Sequence, residues 1–482
     1  MTYSWSGSPD FTFAAKPNLS HASNRVTQFG YDATEPRGKR KAPRIYQGSE
    51  DVILDSGRRQ KLIANARDMA RNFAIAAWMV RRHLDYIASF EFHARTKDRG
   101  FNREVAEFVE RWSMKDNCDA AGRHDLDTFT RLTEVCRVID GDVAHVKMAD
   151  GTIMGVEGDR IRDPQGDSAA SGSDQWVQGV LVDARGRAKK YAVWYREKGQ
   201  LKYDRQIPAE NLSLLGYYER FCQIRGVSPL STALNPLRDV YENFDLALAK
   251  AKVTQLFALA VYRQATDPLI DPSPSPPLGE DEEATEDTRY KFDFSKGPIF
   301  TELDPGDDLK VVESAQPSTQ FQSFTELVLQ VALKALDIPF SFYNESFTNF
   351  FGSRAAWLHY QRSCKPKRAG LQSNLTHHTA WRLGLAVGDG ELTLPSGWEF
   401  SDLKFMWVPT GMPWWDPGKE INGDLAAVGG GLDYPQRITV ERGKGNWYDN
   451  IDYIADAMEY AAEKGVPLSF AANWPTTVEV GS

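Results

Sequence analysis

Cysteine is the scarcest of the chemically informative residues. The 482-residue chain has four, Cys118, Cys136, Cys222 and Cys364, and no pair has the close spacing of a zinc knuckle or a redox motif. Four scattered thiols cannot staple a chain of this length, so a reducing, cytoplasmic setting is expected. Long apolar runs are also missing. The longest, near Leu256–Val261, falls far short of the roughly twenty residues a membrane-spanning helix needs. Met1 to Ala15 has no charged start followed by an apolar stretch, so no secretory signal is expected. An excess of positive charge is absent too: the formal net charge is −9, which excludes a uniformly basic, histone-like DNA binder.

Catalytic signatures are missing as well. His377 and His378 are adjacent, and neighbouring helical residues diverge by about 100°, so they do not converge on one ion. Gly429-Gly430-Gly431 and the glycines at 384, 388 and 390 fit neither a phosphate-binding GxxxxGK[ST] loop nor a strand–GxGxxG–helix unit. There is no GxSxG elbow. Acidic residues abound without any pattern that selects a pair for hydrolysis. No metal and no cofactor is expected, and an assembly or binding protein is favoured over an enzyme.

What is present is ample core material, 41% hydrophobic and 12% aromatic residues, at a length that suggests roughly three domains. Residues 1–44 lack periodicity and end in a basic cluster, Arg37 to Arg44, read as a solvated arm or an anchoring one. A helix follows, capped by Asp55 or Ser56, with Leu62, Ala66, Met69, Phe73, Ala77, Val80 and Leu84 on one face. Its other face is one-signed: Arg58, Arg59, Lys61, Arg67, Arg71, Arg81 and Arg82 are either solvated or matched to an acidic neighbour such as another subunit. Arg103–Met114 and Phe129–Val138 read as further helices. Hairpins are expected across Ala149-Asp150-Gly151 and across Ala184 to Arg187.

The second half opens with Gln223 to Leu230, a turn-rich entry into a helix continuing to about Arg263. From Asp267 to Asp287 every charged residue is acidic and five prolines enforce extension. A hairpin is expected for Pro298–Leu303 with Leu309–Glu313. A second helix starts at Pro317-Ser318 and is apolar nearly all round from Leu327 to Leu336, a pattern that needs partners on every side. A helix over Ser353 to Gly384 follows, then short helices around Ile421–Val428 and Tyr448–Glu463.

Six segments in this order resemble the portal proteins of tailed bacteriophages, the lambda-like family. They are Ala70 to Ala74; Gly141-Asp142 before a strand; Arg225-Gly226-Val227-Ser228-Pro229-Leu230; Leu303 to Asp308; Phe350 to Ala356; and Trp415-Asp416-Pro417-Gly418-Lys419-Glu420. The resemblance implies an α+β portal fold with a wing, a two-helix stem, a β-hairpin clip and a small helical crown, assembled as a dodecameric ring. On this chain the arm is 1–44, the wing 45–230 with a helix over 353–400, and the stem 231–264 and 318–338. The clip is 265–317, the tunnel loop 339–352 and the crown 401–482. It further implies a conduit for double-stranded DNA in the virion at one capsid vertex, assembled in the host cytoplasm. The implied partners are the terminase large subunit, the head–tail adaptor protein, the major capsid protein and scaffold. Two other readings stay open: an adaptor or other virion ring protein, and a hydrolase without a recognisable motif.

Three groups of site residues follow. The loop Tyr343, Asn344, Glu345, Ser346, Phe347, Thr348, Asn349, Phe350 and Phe351 is either the DNA-facing gate or an ordinary buried loop. Lys250 and Lys252 either touch phosphates weakly or pair between subunits. Glu280, Asp281, Glu282, Glu283, Asp304, Asp307 and Asp308 form an acidic docking surface for motor or adaptor, or a solvated linker.

Overall fold

The computed structural model describes residues 48–164, 173–256, 259–263, 307–311, 319–344, 350–410 and 417–468. The expected N-terminal arm, nearly all of the acidic clip and residues 345–349 of the loop lie outside the described residues.

After a short turn of helix, α1 (Glu50–Ile53), Asp55 accepts the Arg58 N–H at 2.8 Å and starts α2 (Ser56–Asn72). The single helix expected here is broken at Phe73, whose backbone is extended, and resumes as α3 (Ala74–Ile87). The two pieces still share the predicted apolar face: Ala66, Met69, Phe73, Val80 and Leu84 are buried. β1 (Phe90–Ala94) leads into α4 (Arg99–Trp112), whose Phe101, Val105, Phe108, Val109 and Trp112 are all buried. At about 1.5–3 kcal/mol for each large apolar side chain, that face alone fixes the helix. The one-turn α5 (Lys115–Cys118) and then α6 (Leu126–Asp140) follow.

The strands between residues 142 and 216 form two antiparallel sheets. β2 (Asp142–Lys147) is central in the first, flanked by β3 (Ile153–Glu157) and, after a long excursion, by β8 (Leu212–Gly216). Between them β4 (Gln175–Val177), β5 (Val180–Val182), β6 (Ala188–Glu197) and β7 (Gln200–Pro208) make the second as a meander. Both expected hairpins are present. The β6–β7 hairpin was not read from the sequence, because its turn, Lys198-Gly199, lies inside a charged stretch and the alternation of Leu201, Tyr203 and Ile207 in β7 is interrupted by Arg205.

The second half departs from expectation in an informative way. α7 (Leu234–Leu256) ends at the first residue of the apolar run at 256–261, and residues 259–263 form β9 (Leu259–Arg263) instead. Its partner is β10 (Asp307–Val311), with Leu259 opposite Val311. The sequence reading continued the helix to Arg263 because a short apolar run fits either period. The expected partner for the 309–313 limb, 298–303, lies outside the described residues. α8 (Thr319–Leu333) is followed by α9 (Phe340–Asn344) and the 40-residue α10 (Phe350–Asp389), about 60 Å long at 1.5 Å per residue. β11 (Phe405–Pro409) pairs back onto β1, tying the C-terminal part to the wing. α11 (Pro417–Gly429), α12 (Pro435–Glu441) and α13 (Trp447–Glu463) finish the described chain.

Three apolar clusters organise these elements. One joins α2, α3, α7, α8 and α10 through residues such as Met79, Leu237, Leu333 and Tyr360. A second packs α4 against the C-terminal half of α10 and β11, through Trp112, Leu383 and Trp407. The third lies within the sheets, around Val146, Val180 and Val193.

Candidate conduit and assembly site

The wing segments singled out from the sequence meet in space. Gly141 has φ +96°, and a Cβ there would lie 2.7 Å from the Gly226 carbonyl oxygen; a Cβ on Gly226 would run into the Gly141 oxygen. Glycine at both positions allows two backbones to cross almost in contact. That crossing brings Arg225 onto Asp142, with Nε–Oδ2 at 2.8 Å and Nη2–Oδ1 at 2.9 Å. Arg225 also donates to the carbonyls of Gly158, Ile161 and Gln178, so all five of its N–H groups have acceptors. Burial alone would raise the Asp142 carboxyl; Arg225, Arg59 and the Gly226 N–H outweigh it and hold it below the usual carboxylate range. Asp51 accepts the Ile224 and Arg225 main-chain N–H groups, and Ser228 donates to Val138 O at 2.6 Å. This hub is structural: its charges are paired within one chain, and the one buried guanidinium nitrogen left over among the described residues of the hub is Arg59 Nε.

The same geometry answers the question of the arginine-bearing helix. Arg59 is buried, its guanidinium 2.9 Å from Asp142 Oδ2, and Arg67 reaches Asp140, Glu157 and Asp159. For these two the acidic neighbour is the chain itself, not another subunit. Arg58, Lys61, Arg71 and Arg81 are exposed. Asp140, Glu157 and Asp159 bring carboxylate oxygens within 4.8 Å of one another, but Arg67 and Arg196 already supply the positive charge there.

A separate buried seam holds α10 against the wing. His145 of β2 and His378 of α10 lie 3.2 Å apart, and Thr133 and Asn374 complete the contacts of His145. Burial pushes His145 down to about 4, against an opposing hydrogen bond from Asn374, and burial also drives His378 well below the usual range. Both rings are neutral at pH 7. Of the adjacent pair, His378 is packed in the seam and His377 is exposed.

The stem pair is built differently. Leu237 and Val240 of α7, with Leu329 and Leu333 of α8, are buried. Further along α7, Phe244 is 39% exposed and Leu248 56% exposed. On α8 the apolar-all-round pattern resolves into a buried side and an exposed one, where Phe324, Leu327 and Val331 are each nearly 60% exposed. A groove of about 260 Å³ runs between the helices, lined by Asp239, Glu242, Leu246, Phe324 and Val328 among others. Lys250 and Lys252 are exposed near the C-terminal end of α7.

The loop's first limb is anchored. Tyr343 meets Trp78 edge-on with ring centroids 5.8 Å apart, and Phe342 packs likewise on Tyr360 at 5.6 Å. Asn344 ends α9, while Phe350 and Phe351 open α10. Glu345, Ser346, Phe347, Thr348 and Asn349 lie outside the described residues, as do Glu280, Asp281, Glu282, Glu283 and Asp304. Asp307 and Asp308 sit on β10 opposite Arg263 and Tyr262. At the far side of the loop, Arg354 pairs with Glu420 at 3.0 Å, and Arg442 meets the same carboxylate at 2.9 Å. Two of the six sequence segments thus touch through one ion pair, which no spacing rule could have revealed.

No helix among the described residues is long and apolar enough to cross a membrane. No curated protein matches the chain in sequence. Among solved structures, a chain from the virion of the native gene transfer agent particle is 13% identical, with a TM-score of 0.46 over 83% of this chain and 94% of that one. A chain from the neck of the empty gene transfer agent particle, computed with C6 symmetry, is 12% identical, with a TM-score of 0.48 over 83% and 95%. Residues 38–368 match the family described as phage portal protein, lambda family. That match spans well over half of the 482 residues, and the chain belongs to the lambda family of phage portal proteins.

Proposed function

We propose that the chain assembles as a dodecameric ring at a single capsid vertex of a virion and serves there as the conduit for double-stranded DNA, inward during packaging and outward during ejection. The observation that carries this reading is the family match over residues 38–368. The exposed apolar faces of α7 and α8 support it: large contiguous apolar surface on a folded protomer marks a protein contact, and a ring gives each stem two neighbours. In this reading the protein is a structural component, not an enzyme. The terminase motor, and later the head–tail adaptor, docks on the clip at 265–317, and capsid protein and scaffold surround the wing.

A conduit must let its cargo slide. Tight neutralisation of many phosphates would give strong, salt-dependent binding, and a net charge of −9 per protomer disfavours it. Lys250 and Lys252 are assigned spaced, weak phosphate contacts, and the segment from Asn344 to Asn349 the gate. Tyr343, packed on Trp78, is the gate's anchor.

Electron-microscopy class averages and native mass of the purified protein test the ring. Closed rings with a channel of duplex width are expected; a compact monomer with a deep cleft would return the enzyme reading. Deleting Asn344–Asn349 is expected to preserve rings while impairing packaging or DNA retention, and normal filled heads from the deletion would refute the gate. Charge reversal at Lys250 and Lys252 that left packaging unchanged at every ionic strength would end the phosphate-contact assignment.

A further inference from the structure

Two helices of this chain carry charge of nearly one sign: α10 is basic up to its last residue, Asp389, and α13 is acidic throughout. From Phe350 to Gly388, α10 contains Arg354, Arg362, Lys365, Lys367, Arg368 and Arg382 and no acidic residue. Most of these have partners in the chain: Arg354 pairs with Glu420, Lys367 with Asp337 and Arg382 with Glu391, and Arg368 donates to Tyr86 O. Arg362 and Lys365 do not; both are exposed, and among the described residues neither has an ion-pair partner. They lie in a stripe with Ala355 and Leu358, at successive steps of three, four and three residues, and the stripe is exposed throughout.

α13 is the opposite case. It contains Asp449, Asp452, Asp456, Glu459 and Glu463 and no lysine or arginine. Asp452 is spoken for by Arg99 at 2.9 Å. Asp449 and Asp456 are exposed and without an ion-pair partner among the described residues. They alternate with Tyr453 and Tyr460, 72% and 63% exposed, at steps of four, three and four. Only Ala461 of this helix is buried in the protomer. Both stripes thus have the spacing of a helix–helix seam, mixed apolar and charged character, opposite sign, and, apart from Lys464 Nζ 5.3 Å over the Tyr460 ring, no cover among the described residues.

We propose that these stripes cover each other between copies: α13 of one protomer docks on the Ala355–Lys365 face of α10 in the next. This rests on the ring reading and specifies an interface within it, separate from the α7/α8 stem. Because the two faces differ, the contact is heterologous, the kind that propagates head to tail and closes into a ring. The tyrosines supply area and stack on guanidinium or aliphatic stems, while the acidic residues set register and exclude like-charged surfaces. A nucleic acid is a poor occupant of the α13 stripe, since its phosphates would meet Asp449 and Asp456.

The test is a charge swap in the full-length protein, read by native mass and class averages of the same samples. Reversing one face (Asp449→Lys with Asp456→Lys) or the other (Arg362→Glu with Lys365→Glu) is expected to lower the ring fraction at least tenfold. Unchanged far-UV circular dichroism would show that the protomer still folds. Combining all four reversals restores opposite signs and is expected to return the ring fraction to within about twofold of wild type. Tyr453→Ala with Tyr460→Ala, which leaves every charge in place, is expected to weaken rings at all salt concentrations. Wild-type rings indifferent to either reversal, or a four-fold variant no better than its parents, overturn the seam and leave the ring reading standing. A wild-type chain that forms no rings overturns both.

Discussion

The wing and the stem bury their chemistry in opposite ways. In the wing, Arg225, Asp142, Arg59 and Asp51 are sunk in the interior and hydrogen-bonded there by one another and by main-chain groups of the same chain. In the stem, α7 and α8 turn Leu246, Phe324, Leu327 and Val331 to the outside. A buried ionic hub is tolerable only when every charge is paired, because leaving one member alone strands a charge in low dielectric. An exposed apolar face is tolerable only when something covers it. The wing's buried charges are therefore met within the protomer, while the stem leaves apolar surface uncovered among the described residues.

The largest predicted effect comes from breaking the wing's internal charge pairing. Asp142→Ala leaves Arg225 and Arg59 facing each other with no anion between them, and the protomer is expected to lose about 3–5 kcal/mol, the cost of an unpaired buried charge. Denaturant unfolding measures it. A loss under about 1 kcal/mol would mean that water reaches the hub.

Next comes pH. His145 is held neutral, its folded-state value down at about 4 against an ordinary 6.5, and His378 is shifted the same way. The unfolded chain therefore binds protons that the folded one refuses. Stability is full above about pH 6.5 and falls as the pH drops toward 4, by about 3 kcal/mol for His145 alone. His145→Gln is expected to flatten that slope between pH 6.5 and 4. An unchanged slope would assign the acid sensitivity to His378, or to His83 and His93, which burial also lowers.

Much of the wing was legible because its signals are local. Asp55 caps a helix where a capping residue precedes an apolar face, and Asp150-Gly151 turns the β2–β3 hairpin. The hub was visible only as two motifs 83 residues apart, Asp142 and Arg225; that they join depends on the Gly141–Gly226 crossing, a fact of topology. β9 was misread because a six-residue apolar run fits helix and strand alike, and its partner lies beyond the acidic segment. The nearly single sign of α10 and α13 was present in the sequence but has no meaning until burial shows which charges are already paired. The stem's exposed face was foreshadowed: a helix apolar all round predicts more partners than one chain supplies.

The smallest expected effect on the protomer is the one that separates the two regions most cleanly. Leu246→Asp or Leu327→Asp places a charge on the stem's outer face, where the native leucines are already 67% and 57% exposed. Surface changes of this kind alter protomer stability by no more than about 0.5 kcal/mol. If neighbouring copies cover that face, the same carboxylate becomes a buried, unpaired charge in every interface of the ring. Assembly should then collapse while the unfolding midpoint of the isolated protomer stays put, the reverse of Asp142→Ala, which weakens the protomer itself. Native mass across a concentration series, set beside denaturant curves of the monomeric fraction, reads both quantities. Rings that survive Leu327→Asp at wild-type concentrations would show that α8's outer face remains solvated in the assembly, and the stem's exposure would then need another partner to explain it.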